Sequence, residues 1–124
     1  MAEINKDVNS DLNLTTYSVT GSLHKNEVED IVKDFYGQEP SQFVLWDVTS
    51  CSQIDLSAAD LEQISKLISE TRINRSKGKT AFVINENDLS LGILFENFAK
   101  MKNLPYEYRS FNSPDEAFAW FGLQ

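Results

Sequence analysis

Two unbroken apolar runs constrain the fold of this chain more than any other feature. They are Phe43-Val44-Leu45-Trp46 and Ala81-Phe82-Val83-Ile84. A run without polar alternation is typical of a strand that is covered on both faces, as in a parallel sheet. Each run is followed by apolar residues at helical spacing, in residues 57–75 and residues 88–102. Because strands separated by helices pair in parallel, we predict that the two runs, the first extended to Asp47, are neighbouring inner strands.

The N-terminal third predicts a strand pair followed by a helix. Residues 3–8 can form a short edge strand, and residues 12–20 alternate as a strand that ends near Gly21. The turn signal Asn9-Ser10-Asp11 lies between them, so these strands can pair antiparallel. Residues 25–36 carry an apolar stripe at helical spacing and form the first predicted helix.

The remaining segments complete an α/β domain. Residues 49–55 are polar and predict a loop, and Asp88 can cap the helix that follows the second apolar run. Residues 106–111 predict a last short strand, and Ser113-Pro114-Asp115-Glu116 has the residues of a helix start. We therefore predict a single domain, residues 1–124, in which a mixed β-sheet of about five strands packs with about four helices.

The net charge and the apolar segments of the chain limit the classes of partner and the location that we expect. The net charge is −8, which disfavours binding to nucleic acid because such binding depends on lysine and arginine. The N-terminus has no apolar signal segment, and no apolar run approaches the ~20 residues of a membrane span. The single cysteine, Cys51, cannot form an internal disulfide. We therefore expect a cytoplasmic protein without membrane insertion.

The residues that usually carry catalysis are sparse. His24 is the only histidine and Cys51 the only cysteine, so zinc lacks its usual ligands and a catalytic triad has no support. Asp47, Asp55 and Asp60 could gather around a hard cation, or could simply occupy a strand end, a turn and the first turn of a helix. No glycine-rich phosphate loop is present. We expect no catalytic residue, no metal site and no cofactor.

One segment goes beyond generic α/β patterning. It is Asp47-Val48-Thr49-Ser50-Cys51-Ser52-Gln53-Ile54-Asp55-Leu56-Ser57-Ala58-Ala59. It resembles the hallmark of STAS domains, the family of bacterial anti-sigma factor antagonists and sulfate-transporter tails, in which a strand ends in Asp-Leu-Ser and a short loop leads to Ile-Asp-Ser-Ser-Gly-Leu. Ser57 falls on the second serine, the position that is phosphorylated in antagonists of this family. The resemblance implies a SpoIIAA-like fold and a role in signalling through protein binding.

A second segment, Val19-Thr20-Gly21-Ser22-Leu23, looks like the Thr-Gly-Glu-Leu strand end of the same family. The chain also departs from the family pattern. Leu56 replaces the first serine, Ala58 the glycine and Ala59 the apolar residue after it. These departures are similar to those of divergent antagonist-like proteins, which are often joined with Sec14-type lipid-transfer domains.

Ser57 has two interpretations. Ser57-Ala58-Ala59-Asp60 has the spacing of a capping box, with Asp in place of the usual Glu or Gln. The alternative is that a kinase phosphorylates Ser57 and a partner responds to about two added negative charges. Both interpretations place Ser57 at the start of a helix.

Two functions follow as hypotheses. The first is a non-enzymatic protein-interaction module, whose partner could be an anti-sigma factor or a serine kinase. Its surface would lie at the carboxyl ends of the strands, the usual binding edge of an open α/β sheet. The predicted surface residues are Asp55, Leu56, Ser57, Asp60, Asn85, Glu86 and Asn87.

The second hypothesis is a small-ligand domain for a lipid or a nucleotide. The ligand would occupy an apolar pocket, and the candidate lining residues are Trp46, Phe95, Phe98 and Trp120. The same aromatic residues could instead form an ordinary hydrophobic core.

Overall fold

A five-stranded sheet, with strands in chain order, forms the centre of the fold. The computed structural model describes residues 2–37, 40–71, 78–104 and 106–123. β1 pairs antiparallel with β2, and all other neighbouring strands pair in parallel. The strands are β1 (Glu3–Asn9), β2 (Leu14–His24), β3 (Phe43–Asp55), β4 (Lys79–Val83) and β5 (Glu107–Phe111).

Four helices in the described ranges cover the sheet unequally. Helices α1 (Lys25–Tyr36), α2 (Ala58–Thr71) and α3 (Leu89–Met101) pack on one face, and α4 (Pro114–Phe121) packs on the other. None of these helices has the length and apolar character that crossing a membrane would require. The predicted mixed sheet of about five strands with about four helices is confirmed.

The two apolar runs are neighbouring inner strands, as predicted. Phe43 pairs with Lys79 at one end of the ladder, and Asp47 pairs with Val83 at the other. Val44 belongs to the core beneath α1, α2 and α3, whereas Leu45 belongs to the core beneath α4. Apolar side chains are therefore needed on both faces of the strand, which explains why the run has no alternation.

The predicted polar loop at residues 49–55 is wrong, because β3 continues through it to Asp55. β2 also continues past its predicted end at Gly21, and His24 pairs with Asp55. Leu23 and Ile54 pair across this extension and pack against the helix-side core, which supplies the apolar contact that holds the two strands there. The ladder shifts register after Gly21, whose φ of 84° lies in the left-handed region that glycine adopts most easily.

Two helix starts differ in how they are capped. Ser113 caps α4 as predicted, because its Oγ accepts the N–H of Glu116 at 3.4 Å. Asp88 precedes α3 but makes no capping hydrogen bond with its side chain. A 3₁₀ turn at Glu86–Asp88 runs directly into α3. Within this turn the backbone N–H of Asp88 donates to the Asn85 carbonyl. Of the helix predicted at 57–75, residues 72–75 lie outside the described residues.

A charged contact joins β1, β2 and α1. The Tyr17 hydroxyl donates to Asp34 Oδ2 at 2.8 Å, and Lys6 Nζ lies 2.7 Å from the same oxygen. Hydrogen bonds from Lys6 and then from Tyr17 hold the pKa of Asp34 below its usual value. Burial and the neighbouring Asp34 raise the pKa of Tyr17, so its hydroxyl stays protonated and keeps donating.

Asp34→Asn should destabilise the protein in a pH-dependent way. A carboxylate with a depressed pKa contributes stability above its unfolded pKa, and that contribution is lost as the pH falls through the folded value. We expect the variant to be less stable than the parent at about pH 7, and the difference to be smaller at about pH 3, below the ~3.9 pKa of an unfolded aspartate. Urea unfolding at both pH values measures this.

Asp30→Asn is the matched control, since Asp30 is exposed on the same helix. Its stability difference from the parent should be small at both pH values. A destabilisation by Asp34→Asn that stays constant across this pH range would contradict the proposed role of the carboxylate.

Candidate functional site

Helix α2 begins at a capping box on the surface. The Ser57 carbonyl accepts the N–H of Leu61 at 3.1 Å, so Ser57 occupies the N-cap. The Asp60 N–H donates to Ser57 Oγ at 3.1 Å, and the Ser57 N–H donates to Asp60 Oδ2 at 3.0 Å. These reciprocal bonds, which the sequence predicted, satisfy backbone donors that a helix start would otherwise leave unbonded. Ser57 is exposed, so solvent reaches the residue that caps the helix.

The segment before the cap is tied to the start of α1. His24 Nε2 lies 3.5 Å from Asp55 Oδ2, across the last pair of the β2–β3 ladder. The His24 N–H donates to Glu27 Oε1 at 3.0 Å, and the N–H of Ala2 donates to Glu27 Oε2 at 2.8 Å. The hydrogen bond from Ala2 and those from His24 lower the pKa of Glu27. The carboxylate therefore stays charged and keeps accepting these hydrogen bonds.

The connection between β4 and α3 contacts β3 at a point far from the cap of α2. Asn85 Nδ2 donates to the Thr49 carbonyl at 2.8 Å, and Asn85, Glu86 and Asn87 are all exposed. Thr49 precedes Asp55 by six residues of β3, about 20 Å at the usual strand rise. The predicted surface residues thus form two segments that border the extension of β3, one at each of its ends.

The three aspartates considered for a cation have separate partners. Asp47 Oδ1 accepts the N–H and the hydroxyl of Thr49, at 3.0 and 2.6 Å. Asp55 faces His24, and Asp60 belongs to the capping box. Within the described ranges, no three side chains of Asp, Glu, His or Cys converge as metal ligands would.

The thiol of Cys51 is a poor nucleophile. Burial raises its pKa to about 11, and the negative charges of Asp88, Asp47 and Glu27 add to the effect. A thiol with this pKa is protonated at neutral pH, whereas a reactive cysteine needs its thiolate form. Its Sγ lies 3.6 Å from the Val19 carbonyl, which it can reach as a weak donor.

The four aromatic residues considered for a ligand pocket do not converge. Trp46 and Phe95 line an apolar cavity of about 90 Å³ between the sheet and α1, α2 and α3. Phe98 packs against the same core without lining the cavity, and Trp120, a residue of α4, packs against the core on the opposite face of the sheet. The grouping was wrong because helical spacing does not reveal which face of the sheet a helix covers. Sequence reasoning also missed Ile54 and Leu56, which line this cavity beside the cap.

Comparison with known proteins supports the fold. No protein-family model matches the chain, and no curated protein matches it. One similar solved structure is an uncharacterised DUF3478-family protein with a SpoIIAA-like fold from Shewanella loihica PV-4. Its TM-score is 0.60 at 16% identity, covering 97% of this chain and 93% of that chain.

A second similar structure is an anti-sigma factor antagonist from Mycobacterium paratuberculosis. Its TM-score is 0.59 at 11% identity, covering 98% of this chain and 95% of that chain. Both alignments span nearly the whole chain, so the likeness concerns the complete sheet and its helices. The chain therefore has the SpoIIAA-like fold that its sequence motifs predicted.

Proposed function

We propose that this chain is a non-enzymatic protein-interaction module that binds a partner at the start of α2. The observation that carries the proposal is the exposed capping box of Ser57 and Asp60, which directly follows a paired strand. A rigid surface loses little conformational entropy on binding, so such a start of a helix suits recognition. The proposed surface comprises Asp55, Leu56, Ser57, Asp60, Asn85, Glu86 and Asn87.

The charge of this surface indicates the chemistry of the partner. The seven residues include three carboxylates and neither lysine nor arginine. Half-buried Leu56 lies between exposed Asp55 and Ser57, so an apolar centre is flanked by negative charge. A complementary partner presents an apolar contact over Leu56 and Ser57, and cationic groups at the more distant carboxylates, such as Glu86. The fold shared with an anti-sigma factor antagonist supports an anti-sigma factor or a serine kinase as the class of partner.

The chemistry of the site supports binding rather than catalysis. His24 lies against Glu27 and Asp55, without a hydroxyl or thiol nucleophile among its bonded partners in the described residues. Burial and nearby carboxylates raise the pKa of the Cys51 thiol to about 11, which disfavours the thiolate form that a nucleophile needs. A nucleophile hydrogen-bonded to an oriented base, which catalysis of acyl or phosphoryl transfer requires, is not formed by these residues.

Phosphorylation of Ser57 is the proposed means of regulation. A phosphate on Oγ would add about two negative charges next to the Asp60 carboxylate, which bonds to the Ser57 N–H at 3.0 Å. The helix start partly stabilises this charge, but a partner surface that closes over Leu56 would have to desolvate it. Phosphorylation should therefore release the partner while leaving the helix intact.

Ser57→Ala should lower the free energy of unfolding by about 1 kcal/mol, the usual contribution of a serine cap. Ser57→Asp should be nearly neutral, because aspartate also caps helices well. Ser113→Ala removes the cap of α4 and is the matched control, with a loss of similar size. Thermal or urea unfolding of the three variants measures these effects. An unchanged free energy of unfolding in Ser57→Ala would show that the serine cap does not stabilise the helix.

Ser57→Asp should weaken partner binding by about 30-fold or more, as expected for an unpaired charge of ~2 kcal/mol in an interface. Ser57→Ala should bind like the parent after allowance for its stability, and Ser113→Ala should bind unchanged. The partner is first captured from native lysate with the full chain, and each variant is then titrated against it by calorimetry. Equal affinity of Ser57→Asp and the parent would exclude Ser57 from the interface.

Glu86→Lys tests the second segment of the surface. It should slow association with a basic partner, and the difference from the parent should shrink as salt is raised. Asp115→Lys makes the same charge change at an exposed position on α4, and it should leave the association rate nearly unchanged. Identical association rates for the two variants would remove the β4–α3 connection from the proposed surface.

A further inference from the structure

The core on the helix side of the sheet contains an unfilled space. The cavity has a volume of about 90 Å³ and lies between β2, β3, β4 and β5 on one side and α1, α2 and α3 on the other. Side chains in its wall include Val44 from the sheet and Ile64 from α2, each 2% exposed. Protein interiors usually contain few voids larger than a water molecule, so a cavity of this size needs an explanation.

The residues that line the cavity disfavour the binding of a charged ligand. Among the residues that the structure describes, no Asp, Glu, Lys, Arg or His side chain lines it. The polar side-chain groups in the lining come from Thr80, Trp46, Tyr36 and Tyr108, and the remaining lining residues are aliphatic, aromatic or glycine. A phosphate or carboxylate placed there would lose its hydration without gaining an ionic partner, which excludes a nucleotide. A hydrocarbon group carries no charge, so it can enter the cavity without this loss of hydration.

The size of the cavity limits the ligand to a small one. A dry apolar cavity of about 150 Å³ in another protein binds benzene or xenon, and the present volume is about three fifths of that. The space thus suits xenon, a small hydrocarbon ring or the end of an alkyl chain. Half-buried Leu56 and Leu91 connect the lining to the surface, so a ligand can approach from the starts of α2 and α3.

We propose that this cavity is a binding site for one small uncharged apolar molecule or for the terminal segment of an alkyl chain. Among the described lining residues, Leu56 alone also belongs to the proposed partner surface, and the other residues of the wall lie outside that surface. Binding replaces the missing contacts of Val44 and Ile64 with contacts to the ligand. A ligand that binds only the folded chain raises its melting temperature.

The test uses the full chain, with benzene and 1-hexanol as probes. Methyl chemical shifts are followed by ¹H–¹³C NMR, and melting temperature is followed by calorimetry. We expect saturable shifts at Val44 and Ile64, and a rise in melting temperature of about 5 °C at ten times the dissociation constant. Tighter binding of benzene indicates a compact ligand, and tighter binding of 1-hexanol indicates an alkyl chain. Shifts that fail to saturate, or that spread evenly over the surface, would overturn the proposal.

Ile64→Phe fills the cavity and should abolish the saturable shifts. Ile64→Ala enlarges it and should allow a larger probe, toluene, to bind at least tenfold more tightly than it binds the parent. Ile93→Phe makes the same change as the filling variant at a position on α3 that is 49% exposed, and binding should stay unchanged. If Ile64→Phe does not fold, the affinity of Ile64→Ala for toluene tests the proposal by itself. Unaltered probe binding in a folded Ile64 variant would place the ligand elsewhere and overturn the proposal.

Discussion

The parallel pairing of β2 with β3 organises the sheet and positions the starts of two helices. The ladder runs from Leu14 opposite Phe43 to His24 opposite Asp55, well beyond the point where β4 ends. It joins the antiparallel β1 on one side to the inner parallel strands on the other. Both of its strands lead directly into helices, so the ladder determines where α1 and α2 begin. The candidate surface is a consequence of this extension, because a β3 that ended with β4 would place Ser57 elsewhere.

Packing on the two faces of the ladder explains why it can be so long. Tyr17 and Trp46 pack on the helix side with ring centroids 5.9 Å apart, and Leu14 and Phe43 belong to the core beneath α4. In the extension, apolar contact comes from Leu23 and Ile54 on the helix side. The same helix-side layer contains the apolar cavity, which lies next to Leu56 and hence close to the cap.

Local patterns predicted the parts of the fold that local chemistry determines. The unbroken runs at residues 43–46 and 81–84 identified the inner strands, and the spacing of Ser57 and Asp60 identified the capping box. The extension of β3 was missed because its residues are mostly polar and its stability comes from pairing with β2, distant in sequence. The face that Trp120 covers and the volume of the cavity likewise depend on how several elements pack together, and no spacing in the chain encodes them.

Amide hydrogen exchange across the extension of β3 measures whether these residues are paired. Residues 48–55 belong to a strand that leads to the start of α2, and a paired strand protects alternate amides from exchange. We predict that protected amides recur in residues 50–55 and in residues 20–24 of β2, with exchange slower than at the exposed Asn85–Asn87 connection. Rapid exchange throughout residues 49–55, as in a mobile loop, would contradict this pairing and remove the rigid support of the proposed surface.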